Sequence, residues 1–216
     1  MSTAPEPGGR AGGVARVIPA DPADAQLLAE VVAAAFRHLP ASNWLVPDPA
    51  ERRRIFPDYF RILVDLALAG GAVDTTADRE AVALWMPAGS GDDAGPPDYD
   101  TRLAAVTGPW ADRFRAFDEQ LAKNHPTGEP HHHLAILAVR PDRQGRGLGS
   151  ALLDAHHRAL DEAYPPVPAY LEAASLDSRR LYLRHGYRDM DRTLHYPDGV
   201  SDRPMMYPMW RPAGGD

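Results

Sequence analysis

Apolar and polar residues alternate from Val14 to Ala20 (VARVIPA), the period of an edge strand with one covered face. The pattern turns helical in DPADAQLLAEVVAAAF, where Asp21 is placed to cap the helix and Pro22 stands in its first turn. The cap-then-proline signature recurs at Asp48 and Pro49, and up to Leu68 the residues Ile55, Tyr59, Ile62, Leu63 and Leu66 share one helical face. Pro57 lies inside that stretch. It predicts a kink or a division into two helices, because proline lacks an amide donor and its ring crowds the carbonyl one turn back. GGAVDTT and REAVALWMP predict two strands joined by a turn at Ala77 to Arg79. The Gly/Asp/Pro-rich residues Ala88 to Pro97 predict a loop, and residues 98–123 predict a helix broken near Gly108 and Pro109.

Further along, HHHLAILAV (131–139) is short, branched and apolar, as a central strand should be. Leu148, Leu152, Ala155, Ala159 and Leu160 then trace a helical face that Pro165 and Pro166 end, and PAYLEAA (168–174) predicts a second buried strand. The result is a strand-helix-strand unit. It sits in a chain that predicts an α+β fold, with a mixed sheet of about six or seven strands and helices on both faces.

Composition narrows this picture. With 216 residues, 44% of them hydrophobic, the chain can bury one sizeable core, so a single domain over residues 14–212 is expected. The Pro/Gly-rich residues 1–13 predict an unstructured lead, and residues 213–216 a short tail. A formal net charge of -7 removes the positive field that non-specific nucleic-acid binding needs, so no nucleic-acid partner is expected and any anion must be held locally. No apolar run is long enough to span a membrane, and the opening residues lack the apolar core of a secretion signal. The expectation is a cytoplasmic protein with no membrane partner. Oligomeric state leaves no mark in the pattern. The absence of cysteine excludes disulfides, thiolate metal sites and a cysteine nucleophile.

The junction between strand 131–139 and the next helix, VRPDRQGRGLGSALL (139–153), carries glycines at 145, 147 and 149. Glycine admits positive φ and lets a ligand approach the main chain, so clustered glycines before a helix allow successive amides to converge on an anion. The helix N-terminus favours the same charge, and Arg143 and Arg146 add positive charge at the rim. A Walker loop requires a Gly-Lys-Ser/Thr ending that is missing here. A dinucleotide fingerprint requires an acidic residue at an early second strand, also missing. An ordinary solvated β-turn is the remaining alternative without a ligand.

Gln144, Gly147 and Gly149 form Q-x-x-G-x-G, and LEAASLDSRRLYLRHGYR (171–188) contains L-Y-x-x-x-G-Y at Leu181, Tyr182, Gly186 and Tyr187. The two motifs, in this order and separated by a helix and a strand, resemble the coenzyme-binding half of the GNAT superfamily of N-acetyltransferases. The resemblance is clear over residues 131–190. The long inserted helix and the PMMYPMW ending (204–210) are similar to the branch containing puromycin N-acetyltransferase.

The resemblance implies a GNAT-like sheet with a splayed parallel strand pair and acetyl-CoA as cosubstrate between strands 131–139 and 168–174. Pantetheine would run along Leu137, Ala138 and Val139. The pyrophosphate would lie on the amides of Gln144, Gly145, Arg146, Gly147, Leu148, Gly149 and Ser150. Ser175, Ser178 and Tyr182 would contact the coenzyme from the other wall, and Ser175 stands where many members carry an asparagine. The implied reaction is direct attack of an amine on the thioester, with the Leu137 amide as oxyanion donor and Tyr182 as proton donor to the leaving thiolate.

His133 occupies the strand position at which the histone-modifying branch carries a base. Water is the competing route for the amine proton, and Tyr182 could instead be a packing residue. His131 and His133 form an H-x-H pair on one strand face, a spacing that can ligate zinc. No third ligand is legible, so no metal centre is expected. Phe36, Trp44, Tyr59, Phe60, Met205, Met206 and Trp210 are candidate acceptor walls or core residues, and Asp48, Asp58 and Glu172 are candidate partners of a cationic amine. The expected partner is a small-molecule amine, an antibiotic or metabolite. Acetylation of protein amines and a non-catalytic acyl-CoA sensor stand beside it.

Overall fold

The computed structural model describes residues 15–89 and 98–214. The lead at 1–13, most of the 88–97 loop and the end of the tail lie outside the described residues. Strands β1 (Val17–Pro19), β2 (Ala72–Thr76), β3 (Ala81–Ala88), β4 (His131–Val139), β5 (Ala169–Ala173), β6 (Arg188–Asp189) and β7 (Tyr207–Arg211) form one sheet in the order β1-β2-β3-β4-β5-β7-β6. Every pairing is antiparallel except β4 with β5. The helices are α1 (Ala25–Phe36), α2 (Pro40–Leu45), α3 (Pro49–Gly70), α4 (Tyr99–Thr107), α5 (Ala111–Asn124), α6 (Leu148–Glu162) and α7 (Leu176–Arg184).

The two faces of the sheet carry separate cores. On one, Leu28, Val32, Ile55, Phe56 and Phe114 from α1, α3 and α5 pack with Val82, Leu84, Ile136 and Ala138 of the sheet. On the other, Leu152, Leu153 and Leu160 of α6 and Tyr182 of α7 pack with Ala81, Ala83, Trp85, Leu134 and Leu171. Among the described residues, no helix is long and apolar enough to cross a membrane.

Sequence and structure part at Pro57 and on the buried face of α6. Helix α3 is not divided at Pro57. Phe56 and Phe60 meet edge to face at 5.4 Å and Tyr59 packs on Phe114 at 4.6 Å, so ring burial on both sides of the proline offsets an interior cost of about 3 kcal/mol. Asp48 caps this helix, accepting from the amides of Ala50 and Glu51, which settles its role locally.

The buried face of α6 is also rotated from the apolar reading. Ala159 is exposed, whereas His156 and His157 are buried. His156 stacks on Trp85 at 4.0 Å and donates from Nδ1 to Asp74 at 2.8 Å, while His157 shares a 3.0 Å hydrogen bond with the Tyr187 hydroxyl. Satisfied polar groups can be buried, and that information lies in the partners rather than in helical periodicity.

Candidate active site

Between β4 and β5 the pairing is confined to His132 with Ala169 and His133 with Tyr170, with the His132 amide donating to Pro168 O at 3.0 Å. Beyond these residues the two strands no longer pair, so the seam opens toward their C-terminal ends.

The neighbouring β3–β4 register shifts at the same level. Leu134 faces Trp85 and Ile136 faces Leu84, which leaves Ala135 as the extra residue of a bulge. The bulge exchanges faces, with Leu134 in the α6 core and Ile136 and Ala138 in the opposite one. The Arg140 amide donates to Glu80 O at 2.9 Å. By the alternation of an antiparallel ladder, the amides of Ala138 and Ile136 then also face β3, and those of Leu137 and Val139 face the open seam. Main-chain donors and acceptors are therefore presented along Leu137 to Val139 as at a sheet edge.

The chain leaves β4 through Pro141–Arg143 and enters α6 with Gly147 as N-cap. Gly145 and Gly147 sit at φ 73° and 81°, and no atom comes within 4 Å of where a Cβ would be placed on either. The first helical bond runs from Ala151 N to Gly147 O, which leaves the amides of Leu148, Gly149 and Ser150 at the helix mouth, with no side-chain cap. Gln144 folds back, its side-chain amide donating to Val139 O at 3.2 Å. Arg143 pairs with Glu80 at 2.6 Å, so only Arg146, which is exposed and without an ion pair among the described residues, stands ready at the rim. These features fit a diphosphate-bearing ligand whose chain runs up the seam.

Gly149 differs from its neighbours. A Cβ there would meet Leu181 and Leu137 at 3.6 and 3.7 Å, ordinary contacts, within a helix. Gly147→Ala should therefore cost about 1–2 kcal/mol of stability for its left-handed backbone. Gly149→Ala should stabilise by about 0.5–1 kcal/mol. Urea titration of the two variants checks the opposite signs.

Helix α7 forms the other wall. Ser175 accepts from the Ser178 amide at 3.1 Å, and the Ser178 hydroxyl accepts from the Ser175 amide at 3.1 Å, a reciprocal capping box. Both serines lie at the C-terminal end of β5 with their hydroxyls engaged in the cap. Tyr182 is buried, 7% exposed, with its ring edge to face on Tyr187 at 5.7 Å. Burial raises its phenol well above the ordinary value. Tyr187 itself is an anchor, held by His157.

On the opposite face of the seam, His131 and His133 project beside Tyr170 and Glu172, and His125, the residue that ends α5, closes over them. His133 Nε2 lies 2.9 Å from Glu172 Oε2, and the Glu172 side chain is only 5% exposed. A carboxylate can only accept, so His133 donates from Nε2, and in the neutral imidazole Nδ1 is then the acceptor nitrogen. Burial alone would raise the Glu172 carboxyl, but His133 foremost, then Tyr170 and His125, outweigh it and hold it below its usual range. Tyr170 is pushed up by burial and by Glu172. His131 bonds Glu129 O through Nδ1 at 2.8 Å and meets His125 Nε2 at 3.1 Å.

His132 faces the other way, sharing a 3.0 Å bond with His156. Of the candidate acceptor walls, Tyr59, Phe60 and Met205 are core, Trp44 donates from its indole to Asp198 at 2.8 Å, and Trp210 lies 5.1 Å from His131. Glu172 as the orienting partner of His133, and His125 beside them, escape a reading of the sequence. The sole signal for Glu172 was an acidic residue in an otherwise apolar strand.

A sheet opened at its one parallel pair, above a glycine-capped helix, defines a class of protein. Residues 116–189, about a third of the chain, match the family model described as acetyltransferase (GNAT) domain. Among solved structures the chain is similar to a Corynebacterium glutamicum protein described as histone acetyltransferase HPA2 and related acetyltransferase. The TM-score is 0.67 at 27% identity, over 93% of this chain and 97% of that one. It shares the fold of arylalkylamine N-acetyltransferase 2 from Aedes aegypti, with a TM-score of 0.59 at 14% identity over 91% and 97% of the two chains. A curated relative, mycothiol acetyltransferase of Jonesia denitrificans, is 35% identical over 72 residues. That match spans 32% of this chain and 23% of the relative, so about a quarter of the relative's length is represented.

Proposed function

We propose that the protein transfers an acetyl group from acetyl-CoA to a primary amine of a small molecule by direct attack within a ternary complex. The observation that carries this reading is the open β4–β5 seam, whose Leu137 and Val139 amides face the gap and which ends at the uncapped mouth of α6. Acetyl-CoA supplies the activated acyl group. Leu137, Ala138 and Val139 would hold its pantetheine arm by main-chain bonds, and the amides from Gln144 to Ser150, with Arg146, its diphosphate.

The Leu137 amide is aimed to donate to the oxygen that becomes negative as the amine adds to the thioester carbon. As the carbon–sulfur bond breaks, Tyr182 gives its proton to the departing sulfur. His133, oriented by Glu172, receives the proton that the amine sheds. The Ser175 and Ser178 hydroxyls support α7 through the cap and so support the position of Tyr182.

The acceptor enters on the histidine face. Similar proteins described as arylalkylamine and polyamine N-acetyltransferases act on small amines, and these classes head a substrate panel. An aminonucleoside of the kind suggested by the PMMYPMW ending and peptides with free N-termini complete it. Calorimetry with CoA and acetyl-CoA, followed by thiol release across the panel, tests the reading. Coenzyme binding without thiol release on any amine would identify a sensor, and no coenzyme binding at millimolar levels would end the proposal altogether. His133→Ala is expected to lower kcat/KM by about 10²-fold. A change within twofold would assign the proton to water.

A further inference from the structure

The histidine face holds more nitrogen and oxygen donors than a base and its partner require. His125, His133 and Glu172 offer ligand atoms that all lie within 4.8 Å of one another. They come from three different elements, the end of α5, β4 and β5, which the tertiary fold alone brings together. Glu172 Oε1 and the Tyr170 hydroxyl are buried without a hydrogen bond of normal geometry among the described residues, although the phenol lies close enough to help hold the carboxyl down. A carboxylate whose side chain is only 5% exposed, with one oxygen short of a well-formed bond, has capacity left to bind a cation.

The geometry points to a site for one divalent transition ion of the zinc type, held by His125, His133 and Glu172, which nothing in the family assignment requires. The donor set is two imidazoles and a carboxylate, the His₂Glu set that suits zinc and its borderline neighbours and is poor for magnesium or calcium. Tetrahedral ligands at about 2.0–2.1 Å from an ion lie roughly 3.3 Å apart. The existing 2.9 Å contact between His133 and Glu172 is already near that edge length, and the His125 donor lies within 4.8 Å of both. His131, which bonds Glu129 O through Nδ1 and meets His125 through Nε2, supplies the oriented second layer that such sites carry. His125 and His133 are half-buried, which leaves a path for entry.

Occupation of the site and acceptance of a proton from the amine compete for His133. On the proposed function, a bound ion therefore inhibits acetyl transfer. Only that consequence rests on the functional reading; the binding itself does not.

The test uses the full chain, freed of metal by chelator and titrated with Co(II), read by visible d–d absorption, and with Zn(II), read by calorimetry. The expected result is a single equivalent bound with tetrahedral-type absorption. Affinity should fall on the order of 10–100-fold or more in both Glu172→Gln and His125→Ala. His125 lies at a helix end, so its variant keeps the test valid if the buried Glu172 substitution impairs folding, which circular dichroism reports. No uptake, or uptake unchanged in both variants, overturns the site. Uptake with the expected variant losses but acetyl transfer undiminished at saturating Zn(II) upholds the site and instead removes His133 as the base.

Discussion

Tyr182→Phe is expected to lower turnover by about 10²–10⁴-fold, the range of a positioned acid, while leaving acetyl-CoA affinity and thermal stability almost unchanged. The separation follows from the surroundings of the ring. Tyr182 is buried against Tyr187, and phenylalanine keeps that contact. Its hydroxyl makes no hydrogen bond to a described residue, so its removal strands no partner. Burial also raises the phenol, which stays protonated through neutral and mildly alkaline pH, as a donor to a thiolate must be. Steady-state kinetics with the best amine of the panel, beside calorimetry and a melting curve, checks all three quantities. A loss of stability with normal turnover would make Tyr182 a packing residue.

Stability should fall steeply as pH drops below 6.5, with His157 responsible for a large share. Burial foremost, and Arg211 next, depress its imidazole to about 3. The folded chain refuses a proton that the unfolded chain accepts between pH 6.5 and 3. Stability therefore rises with pH across that window and is fully present above it. The loss amounts to about 2 kcal/mol at pH 5 and on the order of 4–5 kcal/mol by pH 3. The buried ring packs on Trp85 and meets the Tyr187 hydroxyl at 3.0 Å. His157→Gln retains a partner for the Tyr187 hydroxyl, so its urea midpoint should vary less with pH than that of the wild type. Parallel slopes for the two proteins between pH 4 and 6.5 would place the acid sensitivity elsewhere.

Legibility in the sequence was uneven, and the reason is physical. Elements that follow from local chemistry could be read directly. Asp21 and Asp48 announce helix starts because a short carboxylate reaches its own next amides. Gly145 and Gly147 announce a turn because only glycine takes their φ cheaply. The run 131–139 announces a central strand by its composition.

Long-range pairings left little or no such trace. The bulge at Ala135, which turns the Leu137 amide into the seam, arises from the register between β3 and β4. The burial of His156 and His157 depends on Asp74 and Tyr187, 82 and 30 residues away. The Glu172–His133 pair spans 39 residues. The chain by itself determined the strand-helix-strand unit, the glycine turn into α6 and the tyrosine motif, since each is encoded by neighbours. Only the tertiary structure decided which amides face the opening and which histidine meets which acid, because those outcomes belong to packing between elements distant in the chain.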